Sequence, residues 1–320
     1  MDVLLGGLRA AAEPTRLRLL ALCAHAELTV TELTQIVAQS QPRVSRHLKL
    51  LVEGGLLDRF REGTWAFYRV SDQGACAELA RTLIDLVPEN DPQLARDLER
   101  LAAVREARAA SAAAYFAANA HRWNQIRSLH VEDASVERAL LDVIAPTGQE
   151  TLLDIGTGTG RVLEIFGPRI ARGVGIDLSH DMLAIARNQL ERAGLKHCQV
   201  RHGDMYNLPA ASGSADIAIV HQVLHYADDP AAAIAEAARV LKPGGRLAVV
   251  DFAPHDVESL RGEHQHRRLG FGDDEVETWL RAAGLRPDGA RKLPGRPITV
   301  AIWTATREAV PTILKSKSAA

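Results

Sequence analysis

Three glycines at alternate positions follow a short apolar run in Leu152-Leu153-Asp154-Ile155-Gly156-Thr157-Gly158-Thr159-Gly160. Glycine lets a ligand touch the backbone, and a helix starting there presents free N–H groups to it. Asp177 ends the next apolar run, twenty-one residues after Gly156, the spacing at which a carboxylate accepts both hydroxyl hydrogens of a ribose. Loop and acid together point to a nucleotide-like ligand. A dinucleotide fingerprint wants another glycine three positions after the second, and Arg161 stands there, so NAD is disfavoured.

Proton transfer needs a titratable group near the ligand, and His221 and His225 in Val220-His221-Gln222-Val223-Leu224-His225-Tyr226 are the candidates; the plainer reading makes them hydrogen-bonded structural residues. Glu263-His264-Gln265-His266 has the composition of a metal tract. Residues two apart on a helix do not face one another, however, so no metal is expected there. A third chemistry lies near the N-terminus. In Gln41-Pro42-Arg43-Val44-Ser45-Arg46-His47-Leu48-Lys49-Leu50-Leu51 the apolar Val44, Leu48 and Leu51 share one helix face. That turns Arg46 and Lys49 the other way, flanked by Gln41, Arg43 and Ser45. Between residues 40 and 70 the basic Arg43, Arg46, Lys49, Arg59, Arg61 and Arg69 outnumber Glu53, Asp58 and Glu62, six to three. Arginine reads guanine in the major groove, and Arg59 and Arg61 are placed to reach phosphates.

The elements that must hold these groups follow from periodicity. Glu13-Pro14-Thr15 opens a helix, Thr29 or Thr31 caps another through Val37, and Gln41–Glu53 forms a third, ended by Gly54-Gly55. Two short helices about a tight turn make a helix-turn-helix. Leu57–Arg61 and Thr64–Val70 alternate around Glu62-Gly63 and predict a β-hairpin, a wing. Residues 71 to about 126 are helical by composition, and Arg96, Arg100, Arg105 and Arg108 are read as a solvated face. From about residue 133, strands at Thr151–Ile155, Gly173–Leu178, Gln199–His202, Ile217–Val220 and Arg246–Phe252 alternate with helix-length segments. That pattern predicts a mainly parallel, doubly wound sheet with ligands at the strands' carboxyl ends.

Composition sets the limits. The chain has 320 residues, 47% hydrophobic and 24% charged, the balance of a folded protein with room for two domains. Its formal net charge of −2 means that any nucleic-acid binding comes from a local basic patch. Aromatic residues at 4% argue against base-stacking single-strand binders. Cys23, Cys76 and Cys198 form no CxxC pair, so neither a disulfide framework nor a zinc ribbon is indicated, and a reduced cytoplasm is expected. The first residues lack a basic stretch before a short apolar run, and no run of about 18 apolar residues occurs; neither secretion nor membrane insertion is expected.

Taken in order, the loop Asp154–Gly160, Asp177, Gly203-Asp204-Met205 and Leu241-Lys242-Pro243-Gly244-Gly245 resemble the class I S-adenosylmethionine-dependent methyltransferases, over roughly residues 113–306. The resemblance implies a seven-stranded sheet whose last strand, near Ile298–Ala305, is antiparallel. It implies S-adenosylmethionine as cofactor. Asp154 and the Gly156, Thr157, Gly158 and Gly160 backbone would hold its methionine moiety, Asp177 the ribose, Met182 a face of the adenine and Asp204 the adenine amino group, with Leu178 and Met205 also in the site. By the same resemblance the His221–Tyr226 segment borders the methyl donor, and Tyr115, Phe116 and Trp123 fall where the family often has a lid. Ala12-Glu13-Pro14-Thr15-Arg16-Leu17-Arg18-Leu19-Leu20, the Gln41–Leu51 segment and the hairpin resemble ArsR-type winged-helix repressors. The cysteine pair by which many of those sense metals is absent from Glu27–Leu33, so metal or arsenite sensing there is not expected. Arsenic methylation is disfavoured because Cys198 is alone in the methyltransferase part.

The expected molecule is multidomain: an α+β winged helix-turn-helix at residues 1–90, a helical connector and candidate lid at 91–132, a C-terminal α/β, doubly wound, Rossmann-like class I methyltransferase at 133–308, and a flexible tail at 309–320. Two readings of its function stay open. In one, a dimeric DNA-binding regulator carries a domain that methylates a small molecule; in the other, that domain senses S-adenosylmethionine or its demethylated product without turnover. Both imply double-stranded operator DNA, a second copy of the chain, no metal and no membrane.

Overall fold

Helix α1 (Asp2–Ala11) leads into α2 (Pro14–His25), where Pro14 pre-sets the first-turn φ and the Glu13 carboxylate accepts the Arg16 N–H at 2.9 Å. Thr29 starts α3 (Val30–Val37) with a reciprocal cap: its Oγ1 accepts from the Glu32 N–H at 3.3 Å, and its own N–H donates to the Glu32 carboxylate at 2.8 Å. Ala38, left-handed at φ 54°, turns the chain into α4 (Gln41–Glu53). Val44, Leu48 and Leu51 on α4 are fully buried with Leu19, Leu20, Leu22, Leu33 and Ile36. Gly54 permits the close approach to α1, since a Cβ there would lie 2.4 Å from that of Ala10. The wing is β2 (Leu57–Glu62) against β3 (Trp65–Val70), with β1 (Leu28–Thr29) on the far side of β3.

The computed structural model describes residues 1–62, 65–71, 74–88, 90–119 and 133–308. It falls into two units, Met1–Ala112 with Glu258–Glu263, and Ala113–Val257 with His264–Ala320. The expected flexible tail at 309–320, the Trp123 ring, and the Tyr115 and Phe116 side chains lie outside the described residues.

Helices α5 (Ala77–Asp85) and α6 (Pro92–Asn119) follow the wing; of the arginines expected on a solvated face, Arg96 and Arg100 are exposed and the Arg108 side chain lies outside the described residues, but Arg100 and Arg105 also hold carbonyls of the first unit. Arg100 donates to the Ile36 carbonyl at 3.1 Å and Arg105 to the His25 carbonyl. Both acceptors are at helix C-termini, where carbonyls lack intrahelical partners. Arg18 of α2 forks onto fully buried Asp97 of α6 at 2.6 and 2.8 Å and also reaches the Val37 carbonyl at 3.3 Å.

In the second unit α7 (Asp133–Ile144) precedes an alternating succession: β4 (Thr151–Ile155), α8 (Arg161–Phe166), β5 (Arg172–Asp177), α9 (His180–Arg192), β6 (Cys198–His202), β7 (Ala215–His221), α10 (Pro230–Val240) and β8 (Leu241–Phe252). The short α11 (Ser259–Glu263) belongs to the first unit, and α12 (Asp273–Ala282), β9 (Leu285–Leu293) and β10 (Val300–Arg307) complete the second. The seven strands are ordered β6-β5-β4-β7-β8-β10-β9. The first five are parallel, and β10 is antiparallel to both β8 and β9. Strand order reverses between β4 and β7, the switch point at which such sheets open a crevice. Strand β8 begins at Leu241, five residues before the Arg246 expected from the apolar run.

Candidate functional site

The pocket of the second unit opens at that switch point, and its lining includes Asp154, Gly156, Thr157, Asp177, Met182, His221, Val223 and Tyr226. Asp154, fully buried at the end of β4, accepts the Thr157 hydroxyl at 2.5 Å. Asp177, at the end of β5, accepts the Gly158 N–H on one oxygen and the Ser179 N–H on the other, both at 2.8 Å. Enclosure pushes the Asp177 pKa up, against the lowering effect of those N–H groups and of nearby His202. Gly156 has a left-handed φ of 71°, and a Cβ there would lie 2.6 Å from a Val223 methyl, so the segment after β7 presses on the glycine loop. Gly160, also left-handed, caps α8. Arg161, the residue that broke the dinucleotide pattern, lines the pocket and forks onto Glu137 of α7 at 2.7 and 2.8 Å.

The other sequence-derived positions are spread around this pocket. Leu178 is 56% exposed next to Asp177. Asp204 accepts the Tyr206 N–H at 3.0 Å, and neither it nor Met205 is in the pocket lining. The two histidines separate: His221 lines the pocket, whereas His225 is buried, its Nδ1 2.8 Å from Asp251 Oδ1 at the end of β8. Asp251 went unread in the sequence, although a carboxylate closing an apolar strand is the signal that marked Asp154 and Asp177. Tyr206 was missed too. Its hydroxyl accepts the Asp228 and Asp229 N–H groups at 2.8 and 3.1 Å, and burial pushes its pKa up to about 12. The helical premise for Glu263–His266 is corrected: α11 ends at Glu263, and the His264 and His266 rings lie 6.3 Å apart beyond it. Among the described residues no cluster of three or more His, Cys, Asp or Glu side chains is arranged to hold a metal.

On the first unit Gln41, Arg43, Ser45, Arg46 and Lys49 are exposed along α4, opposite its buried face, and Arg59 and Arg61 are exposed on β2. Lys49 is loosely paired with Glu53 at 3.7 Å. Half-buried His47 lies 3.5 Å from Glu13, and its pKa is lowered, by burial first and also by the positive Arg16, Arg43 and Arg46, despite that carboxylate. Arg69 is removed from the expected patch: it lies over the Phe60 ring and pairs with Glu27 at 3.4 Å. The register explains this, because Arg69 pairs with Asp58 across the wing and so shares the face opposite to Arg59 and Arg61.

Residues 13–59 match the family model of the bacterial regulatory proteins of the arsR family, and residues 153–249 match a methyltransferase domain. One chain carries an ArsR-family helix-turn-helix and a methyltransferase domain. It is 39% identical over 118 residues to an uncharacterized 37.1 kDa protein in transposon TN4556 of Streptomyces fradiae, covering 36% of this chain and 34% of that one. It is 31% identical over 175 residues to 27-O-demethylrifamycin SV methyltransferase of Amycolatopsis mediterranei, covering 50% and 61%. The chain thus spans less than two thirds of the length of either relative. A solved geranyl diphosphate C-methyltransferase from Streptomyces coelicolor A3(2), in complex with Mg2+, geranyl diphosphate and S-adenosyl-L-homocysteine, aligns over 55% of this chain and 79% of its own at 18% identity and a TM-score of 0.50, a likeness of fold. No helix among the described residues is long and apolar enough to cross a membrane.

Proposed function

We propose that this protein is a homodimeric, cytoplasmic transcriptional regulator that binds operator DNA through its ArsR-type domain, binds S-adenosylmethionine and methylates a small molecule through the second, and has its DNA binding controlled from that second domain. The observation that carries the cofactor reading is the pair of carboxylates, Asp154 and Asp177, at the ends of adjacent parallel strands and both hydrogen-bonded to the glycine loop. The donor chemistry fits. A carboxylate only accepts, and the cofactor presents ammonium, hydroxyl and amine donors to it. Asp154 with the Gly156–Gly160 backbone would hold the methionine moiety, Asp177 the ribose, Met182 and Leu178 the adenine faces, and Asp204 with Met205 the amino edge. S-adenosylmethionine supplies an electrophilic methyl group, and the chain's task is to align the acceptor and manage its proton.

The DNA reading is supported by the exposed basic row on α4 and by Arg59 and Arg61 on the same face of the wing. The dimer is supported by α1, which leaves Val3, Leu4, Leu5 and Leu8 61%, 45%, 38% and 40% exposed, a row of apolar side chains on one short helix. Buried, unpaired Cys23, Cys76 and Cys198 suit a reducing compartment. Calorimetry with S-adenosylmethionine and S-adenosylhomocysteine tests the cofactor reading. Both are expected to bind the native protein, and heats of dilution alone for both would reject it.

A further inference from the structure

We infer that the excursion of residues 254–269, between β8 and α12, carries the state of the pocket to the wing, with Arg261 as its contact there; the inference rests on the cofactor reading above and gives the proposed control of DNA binding a route. The wing has two faces. Strand register puts Arg59 and Arg61 with Tyr68 and Ala66 on one, and Phe60 with Phe67 on the other, which alternation extends to Trp65. On that second face the Phe60 and Phe67 rings stack at 5.4 Å between centroids, Trp65 tilts against Phe67 at 6.0 Å, and Phe67 is fully buried. A two-stranded ribbon has no core of its own, so a ring buried on its face needs cover from elsewhere. Arg261 of α11 contributes that cover within the first unit. Its guanidinium carbon lies 4.5 Å from the centre of the Trp65 ring and 5.9 Å from that of Phe67, and its side chain is 5% exposed. A cation on a ring face, out of water, is a directed contact that gains from desolvation. Leu260 beside it is buried as well, and Glu258 opposes the charge at 3.5 Å.

The face that Arg261 covers decides how it can act. Arg59 and Arg61 stay exposed on the opposite face, so α11 does not compete with DNA for the wing. Its effect is on where the ribbon is held, and through that on whether the two arginines reach phosphates.

The base of the excursion is pinned beside the pocket of the second unit. Backbone bonds from the Phe271 N–H to the Phe252 carbonyl at 2.9 Å and from the His255 N–H to the Leu269 carbonyl at 3.0 Å close its neck. Gly270, left-handed at φ 90°, permits the closure, because a Cβ there would overlap the Ala253 carbonyl. Arg267 and Arg268 donate their backbone N–H groups to the His225 carbonyl at 2.9 and 3.1 Å, and their guanidiniums are held by Asp228 at 2.9 Å and Glu275 at 2.7 Å. The residue after His225 is Tyr226, which lines the pocket with His221, Gln222 and Val223. A ligand that orders this segment therefore acts on a carbonyl gripped by the excursion, six residues from Arg261. Covalent continuity does the rest: Val257 and His264 belong to the second unit and Glu258–Glu263 to the first.

Amide hydrogen exchange on the full-length protein, with S-adenosylhomocysteine as the ligand and without DNA, tests this. Saturation is expected to slow exchange at the glycine loop, in α11 and in β2 and β3 of the native protein, since ordering one end of a linked element raises the cost of opening the other. In Arg261→Ala the slowing at the glycine loop is expected to stay and that in the wing to be lost. Arg261→Lys, which keeps a cation for the Trp65 ring, is expected to retain part of the wing response. Slowing at the glycine loop with an unchanged wing in the native protein overturns the inference, and this arm needs no variant that folds. A wing response undiminished in Arg261→Ala overturns it too and leaves the helical connector as the route. No slowing at the glycine loop overturns the cofactor reading, and the inference falls with it.

Discussion

In the proposed cofactor site Asp177 is the residue on which affinity is expected to turn, and its environment fixes the sign of a pH effect. Enclosure favours the protonated carboxyl and raises the folded pKa above the ordinary 3.8, whereas ribose hydroxyls donate to the ionised form. Binding therefore favours ionisation, and affinity for S-adenosylhomocysteine is expected to fall on acidification at a higher pH than an ordinary carboxylate would give. Replacing Asp177 by Ala removes the charged acceptor, at a cost of about 1.5 to 3 kcal/mol in affinity. It should also flatten the acid limb of the pH profile. Calorimetry across the acid range reads both, and parallel profiles for native and Asp177→Ala protein would reject the assignment. At this scale the sequence was legible where a charge interrupts an apolar run next to glycines, as at Asp154 and Asp177. It was silent on His221 against His225, because their different fates are set by Asp251, twenty-six residues downstream of His225.

Among the elements, α4 and α6 carry the testable consequences. If Arg46 makes a bidentate base contact, Arg46→Ala costs about 1 to 3 kcal/mol on specific DNA, whereas Arg61→Ala, on the wing, chiefly lowers the salt slope. Filter binding to specific and random DNA separates the two, and equal effects on both DNAs would contradict the division of roles. For α6, the fully buried Asp97 is expected to matter more than any surface pair, since removing one partner strands Arg18. Asp97→Ala should lose about 3 to 5 kcal/mol of stability to urea, and a loss below about 1 kcal/mol, as for an exposed pair, would show that the node is not structural. The helices and the wing were readable from caps, glycines and alternation. Strand β9 was not: Arg286, Pro287, Asp288, Gly289 and Arg291 leave almost no apolar pattern, and this edge strand is held by its backbone ladder to β10. The carbonyl bonds of Arg100 and Arg105 were not readable because their partners lie 64 and 80 residues away.

For the whole molecule, the account requires two copies and two ligands. Leu4→Glu on α1 should convert a dimer to monomer in sedimentation, and an unchanged dimer would move the interface elsewhere. A dimer of winged helices sets half-sites about 10 to 10.5 bp apart, so footprints should show an inverted repeat. Residues 91–132, expected as the connector, contain no glycine, which motivates coupling between the domains. By linkage, cofactor and operator must change each other's affinity by one common factor, about 5- to 150-fold in typical cases. The most direct test takes an operator selected from random-sequence DNA and measures its affinity for the native protein with saturating S-adenosylmethionine, with saturating S-adenosylhomocysteine and with neither. The account predicts that at least one ligand changes operator affinity by such a factor and that operator changes the affinity for that ligand equally; three identical operator affinities would contradict control of DNA binding from the methyltransferase domain's cofactor site.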